Sequence, residues 1–165
     1  MTVLHKRSFF IWLILAVLWM GFVFYKSSQT YADQDLRPSF AAFITEETLQ
    51  KYIPHIEFDY DGQHVTWKQP YDFVEYFIRK GAHVAEFALL CFLIVKTLYA
   101  TSLSAPSTIA ISGVVAFLYA CSDEWHQSFV PGRTGHFQDV LVDSIGIALV
   151  MLGFWLARKR RRKPH

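Results

Sequence analysis

Residues 9–25 read FFIWLILAVLWMGFVFY, seventeen side chains without a charge. As a helix rising about 1.5 Å per residue they cover roughly 25 Å, close to the thickness of a bilayer's hydrocarbon core. This run decides the fold, because three more of its kind follow. His5-Lys6-Arg7 precede it, the flank expected on the cytoplasmic side. A cleaved signal peptide competes, since Thr30-Tyr31-Ala32 loosely resembles a processing site. The length of the run, its two tryptophans and the later spans favour a retained helix.

The rest of the composition agrees. Hydrophobic residues make up 53% of the 165 and charged residues 18%, below the roughly 25% usual for soluble domains. A disordered chain is excluded, and an ordinary cytosolic domain is a poor fit. Cys91 and Cys121 are too few for a disulfide scaffold or a four-cysteine zinc site; in separate spans they read as packing residues. The net charge of +2 is unevenly spread, for six of the sixteen basic residues stand at 158–163. Directly after a span, such a run is a topology signal with affinity for anionic lipid, so no nucleic-acid partner is expected.

The chain divides accordingly. Span 1 is residues 9–25, and a polar insert fills 26–70. An amphipathic lead-in and span 2 follow at 71–100, span 3 at 107–122, span 4 at 137–157 and the basic tail at 158–165. Residues 26–80 carry six basic and nine acidic side chains, net −3. Thr45-Glu46-Glu47-Thr48-Leu49 predicts a short capped helix. Asp61-Gly62, between residues 56–60 and 63–67, predicts a β-hairpin with a primed turn, leaning on the bundle or the membrane surface. Pro70 can open the long helix that follows. The fold class is thus all-α: a four-span transmembrane bundle with a small extracytoplasmic insert. Basic residues at both ends and an even number of spans predict a multi-pass protein of the cell membrane with both termini cytoplasmic.

This topology brings the ionisable residues together. Span 2 begins at the outer surface, span 3 ends there and span 4 begins there. Arg79, Lys80, His83 and Glu86 then share a depth with Asp123, Glu124, His126, Gln127, Arg133, His136, Asp139 and Asp143. Arg79, His83 and Glu86 fall on one helical stripe, as do Asp123, His126 and Gln127. Asp139 and Asp143 are four apart, and Gly146 continues their face and permits close helix approach. An ionisable group deep in a bilayer costs about 2.5–3.5 kcal/mol on the mildest scale, so these groups should face inward and be paired. Arg79, Lys80 and Arg133 are the cations expected to pair with them. Asp139 opens a helix and suits its dipole; Asp123 and Glu124 close one, against the dipole, and need a specific partner.

Three blocks are recognisable: 79–87 (RKGAHVAEF), 122–133 (SDEWHQSFVPGR) and 139–146 (DVLVDSIG). In order and spacing they resemble the VanZ-like membrane protein family, whose pattern is RK-x-x-H-x-x-E, D-E-x-H-Q-x-F-x-P-G-R and D-x-x-x-D-x-x-G. Ser27-Ser28-Gln29 is similar to a weaker feature of that family, and Phe87 stands where tyrosine is frequent. The resemblance implies an envelope protein of a family named for an accessory factor that lowers sensitivity to teicoplanin. It carries no established mechanism.

Arg79, Lys80 and Arg133 suit a phosphate, with Gly132 and Gly135 letting backbone N–H groups approach it. The competing role is interfacial anchoring and neutralisation of the acids. His83, Glu86, Asp123, Glu124 and His126 read as a hydrogen-bonding and proton-transfer set, or as a network holding the bundle. Asp139 and Asp143 would orient the cations. His83 with Glu86, or His126 with Asp123 or Glu124, offer metal-ligand chemistry, but no H-E-x-x-H signature appears, and neither metal nor cofactor is expected. The expected partners are membrane lipid and a lipid-linked wall precursor or glycopeptide-related ligand. The alternative is a membrane hydrolase or transferase acting on a lipid headgroup, with His83 or His126 as general base. No G-x-S-x-G or Ser-Lys arrangement points to acyl transfer.

Overall fold

The computed structural model describes residues 3–161. Its elements are α1 (Val3–Ser27), a 3₁₀ turn (Ala32–Gln34), α2 (Arg37–Phe43), α3 (Glu46–Gln50), β1 (Glu57–Tyr60), β2 (Gln63–Thr66), α4 (Pro70–Tyr99), α5 (Ala105–Gln127) and α6 (Phe137–Arg161). Of the basic tail read at 158–165, the first four residues continue α6 and the last four lie outside the described residues. Four helices, α1, α4, α5 and α6, are long and apolar enough to cross a membrane. The chain is an all-α, multi-pass bundle with a small hairpin insert.

At 30 residues, α4 is roughly 45 Å long, well beyond a hydrocarbon core of about 30 Å. Its first turns therefore extend past the apolar layer and carry the aromatic lead-in. This helix is central and packs against the other three. Their shared core is Val23, Phe87, Leu90, Cys91, Ile94, Val95, Ala116, Ala120, Val140 and Ile147. Both cysteines are free thiols, and Cys91 is fully buried in that core. By contrast α1 presents Val17 and Leu18, 57% and 65% exposed, as a face for lipid.

The insert forms as its local chemistry dictates. Thr45 caps α3 by accepting a hydrogen bond from the Thr48 N–H. The hairpin turns through Asp61 and Gly62 at φ of 52° and 79°, the left-handed pair of a type I′ turn. Tyr60 pairs with Gln63 and Phe58 with Val65. The Phe58 and Tyr60 rings meet Tyr76 on α4 at 5.7 Å, so the hairpin leans on the bundle.

One contact sets the spacing of the two helices that carry most of the polar groups. A Cβ on Gly146 of α6 would strike the Val84 carbonyl oxygen of α4 and lie 3.0 Å from the Ala88 nitrogen. Only glycine lets the backbones come this close. Val84 follows His83 directly, so the approach also fixes how near His83 stands to α6.

Candidate functional site

Three helix ends and the middle of α4 meet beneath the insert: the last turn of α1, residues 79–86 of α4, the last turn of α5 and the first two turns of α6. Between them and the hairpin lies a cavity of about 380 Å³. Its border includes Tyr31, Tyr60, Tyr76, Arg79, Lys80, His83, Gln127, Gly132, Arg133, His136 and Asp139.

Around the rim, acids and cations are matched. Lys80 pairs with Asp139, which also accepts a 2.9 Å hydrogen bond from the Tyr60 hydroxyl. Burial, and then that bond, raise the Tyr60 phenol above its ordinary pKa and keep it a donor. His136 Nδ1 lies 2.5 Å from Asp61 Oδ2 on the hairpin turn. Arg79 sits over the Tyr31 ring at 4.4 Å, with a guanidinium nitrogen 3.8 Å from Glu75. Arg133 differs. It donates to the side-chain oxygens of Gln127 at 3.0 Å and Gln34 at 2.5 Å, and no carboxylate lies within ion-pair distance among the described residues. Burial lowers its pKa from the usual value, with the neighbouring Arg79 charge adding to the shift, but a guanidinium so placed keeps its proton.

Below the rim the balance reverses. Asp123 accepts from the Ser27 hydroxyl at 2.5 Å and from Gln127 at 2.8 Å. Glu124 accepts from Gln127 at 3.3 Å and from the His136 N–H at 3.2 Å. Asp143 is fully buried, and neither of its oxygens has a hydrogen-bond partner. The one basic side chain within ion-pair distance of it among the described residues is His83, with Nδ1 3.6 Å from Oδ1. One donor atom each from His83, Asp123 and Glu124 lie within 4.8 Å of one another.

The expected site residues therefore fall into three groups. Arg79, Lys80, His83, Gln127, Arg133 and Asp139 border the cavity. Asp123, Glu124 and Asp143, the floor acids, do not line it themselves but lie directly behind two residues that do, Gln127 and His83. Glu86 and His126 border neither the cavity nor the group of His83, Asp123 and Glu124, though His126 shares a second groove with Asp123. Glu86 was expected to pair with Arg79, Lys80 or Arg133, but it is held by Lys26 of α1. His126 was expected beside Asp123 and Gln127; its ring stacks on Phe24 at 4.2 Å, in a second groove that it lines with Asp123, Tyr119, Trp125 and Phe129, while Gln127 lines the first cavity. The reason is rotation. Consecutive residues are about 100° apart around a helix, so His126 points toward α1 when Gln127 points into the centre. Glu86 likewise turns to α1 while His83 turns to α6. Asp143 touches no cation, so of the two aspartates expected to orient cations only Asp139 does so.

Residues not foreseen complete the picture. Lys26 and Ser27 end α1 and reach Glu86 and Asp123; the Ser27-Ser28-Gln29 feature was the available signal. Gln34, Tyr31 and Tyr60 come from the insert, whose placement no local pattern reveals. Glu75 is fully buried and lies 3.7 Å from Arg37 as well as 3.8 Å from Arg79.

A protein-family model described as VanZ/LLP1 matches residues 12–158, nearly the whole chain. The chain belongs to this family. No curated protein and no solved structure matches it.

Proposed function

We propose that this VanZ-family membrane protein binds the anionic headgroup of a lipid or lipid-linked envelope component in the cavity under its insert. The observation that carries the reading is Arg133: a half-buried cation at the cavity, held in place by two amide oxygens and, among the described residues, with no carboxylate within ion-pair distance. A guanidinium fixed by neutral partners keeps its charge available to a ligand, and its planar fork suits phosphate. The left-handed Gly132, at φ 74°, lets the adjoining backbone turn beside it. Basic residues at the opposite helix ends, Lys6, Arg7 and 158–160, support a cavity on the outer face with cytoplasmic termini. Shielding such a headgroup would lower the access of a teicoplanin-type glycopeptide to the wall component that carries it.

The full chain in nanodiscs, held in EDTA, tests this with three probes: a polyprenyl phosphate, phosphatidic acid and inorganic phosphate. Intrinsic tryptophan fluorescence or native mass spectrometry reads the binding. Wild type should bind a phosphomonoester lipid at least ten-fold more tightly than phosphatidylcholine, and Arg133→Gln should lose about ten-fold. Equal affinity in wild type and Arg133→Gln would contradict the reading. Preference for polyprenyl phosphate over phosphatidic acid separates a lipid-linked carrier from a general anionic lipid.

A second reading, hydrolysis or transfer at the headgroup, is favoured by one observation: the His83 imidazole borders the cavity with the Asp143 carboxylate behind it. Release of phosphate from the bound lipid, lost in His83→Ala, would establish it.

A further inference from the structure

The floor of the cavity holds more negative charge than the chain compensates. Asp123 and Glu124 receive hydrogen bonds only from neutral groups: the Ser27 hydroxyl, the Gln127 amide and the His136 backbone N–H. Among the described residues no lysine or arginine pairs with Asp123, Glu124 or Asp143; Lys26 and Lys80 are taken by Glu86 and Asp139. Arg133 directs its donors to Gln127 and Gln34 instead. Three carboxylates collected from two helices without a counter-charge need a cation or protons from outside the chain.

Two features favour a cation. First, the set includes a nitrogen ligand: His83 and the two α5 acids bring donor atoms within 4.8 Å of one another. Ligand bonds of about 2.0–2.2 Å put donors roughly 3.5 Å apart around a tetrahedral ion and about 4.4 Å apart across an octahedral one. Small side-chain rotations close that gap. Second, and independently, Asp143 is fully buried with both oxygens unpartnered, and it faces His83 at 3.6 Å from the other side. Its oxygens lie outside the 4.8 Å group, one contact behind the imidazole, where a side-chain rotation would add a fourth donor. The neutral hydrogen bonds on Asp123 and Glu124 orient them as metal-bound carboxylates are commonly oriented.

We infer that His83, Asp123, Glu124 and Asp143 form a binding site for one divalent transition-metal ion of the zinc or manganese kind. One imidazole and three carboxylates are a donor set those ions accept. This departs from the sequence expectation of no metal, which rested on the lack of a local signature; here the ligands come from three helices. The inference goes beyond the headgroup reading and does not depend on it, since the metal is measured without any phosphate.

The full chain, purified in detergent and stripped with EDTA, is titrated at pH 7 with Zn²⁺ and with Mn²⁺ by calorimetry, and the Mn²⁺ signal is followed by electron paramagnetic resonance. One ion per chain is expected, with at least ten-fold weaker binding in Asp143→Asn and in His83→Ala. His55→Ala, at an exposed ring stacked on Trp67 in the insert, keeps wild-type affinity and controls for stray histidine binding. Melting supplies a second readout: metal raises the wild-type Tm and leaves that of Asp143→Asn unmoved. Absence of saturable binding with the same Tm in EDTA and in metal overturns the site. So does an ion that both Asp143→Asn and His83→Ala retain.

Discussion

Glu75 on α4 and Asp143 on α6 are two fully buried acids, and their surroundings are opposite. Glu75 lies between the Arg37 and Arg79 guanidiniums, at 3.7 and 3.8 Å, and accepts the Leu36 N–H at 3.3 Å. Asp143 has an imidazole at 3.6 Å, no hydrogen bond, and two more acids across from it on α5. The first is an anion that the chain itself neutralises, and it ties the insert to α4. The second is left for something outside the chain to neutralise. Burial alone therefore does not distinguish an architectural carboxylate from one poised to bind; the count of nearby cations does.

The harshest way to break the comparison is to remove the geometry of the Asp143 side. Gly146→Val drives a side chain into the backbone of α4 and should cost about 3 kcal/mol, the upper end for overpacking. Gly153→Val on the same helix, where a Cβ meets nothing within 4 Å, should change stability by less than about 0.5 kcal/mol. Thermal melts of both variants in one detergent decide it; equal losses would mean that the α4–α6 approach is not a constraint.

Exchanging each acid for its amide sharpens the contrast in sign. Glu75→Gln removes a charge that two guanidiniums share and should destabilise by about 1–2 kcal/mol, modest because Arg37 is 42% exposed and screened by solvent. Asp143→Asn, measured in EDTA, relieves repulsion among the floor acids and should be neutral or stabilising by up to about 1 kcal/mol. Destabilisation by both amides to the same extent would erase the distinction drawn between them.

The smallest expected effect lies in the insert beside Glu75. Hydrogen bonds from Arg37 lower the Asp35 carboxyl from 3.8 to about 2. A carboxyl with a depressed folded pKa contributes stability that is complete above its unfolded value and lost as pH falls through its folded one. The insert should thus loosen between about pH 4 and pH 2. Amide exchange around residues 32–37 reads this directly, and Arg37→Gln should move the Asp35 midpoint back toward 3.8. A midpoint that stays put in that variant would assign the shift to another cause.

Much of the fold was legible because its signals are local. Asp61-Gly62 demanded a left-handed turn, Thr45 offered a cap, and four charge-poor runs could be nothing shorter than membrane-length helices. Gly146 was readable too, since a glycine on the polar face of a span has few other uses. The site was legible as a layer but not as a set of partners. A spacing of three or four residues leaves an arc of tens of degrees, and that arc sent His126 to Phe24 and Glu86 to Lys26.

The amino-acid order alone determined the number of apolar helices, the end of the bundle where ionisable groups gather, and the family. Those properties follow from hydropathy and spacing along one chain. Which acid meets which cation was decided only when the helices packed, because ion pairs form between side chains 59 and 60 residues apart whose facing depends on helix rotation. The unmatched carboxylates of the floor and the unmatched guanidinium of Arg133 are products of that packing.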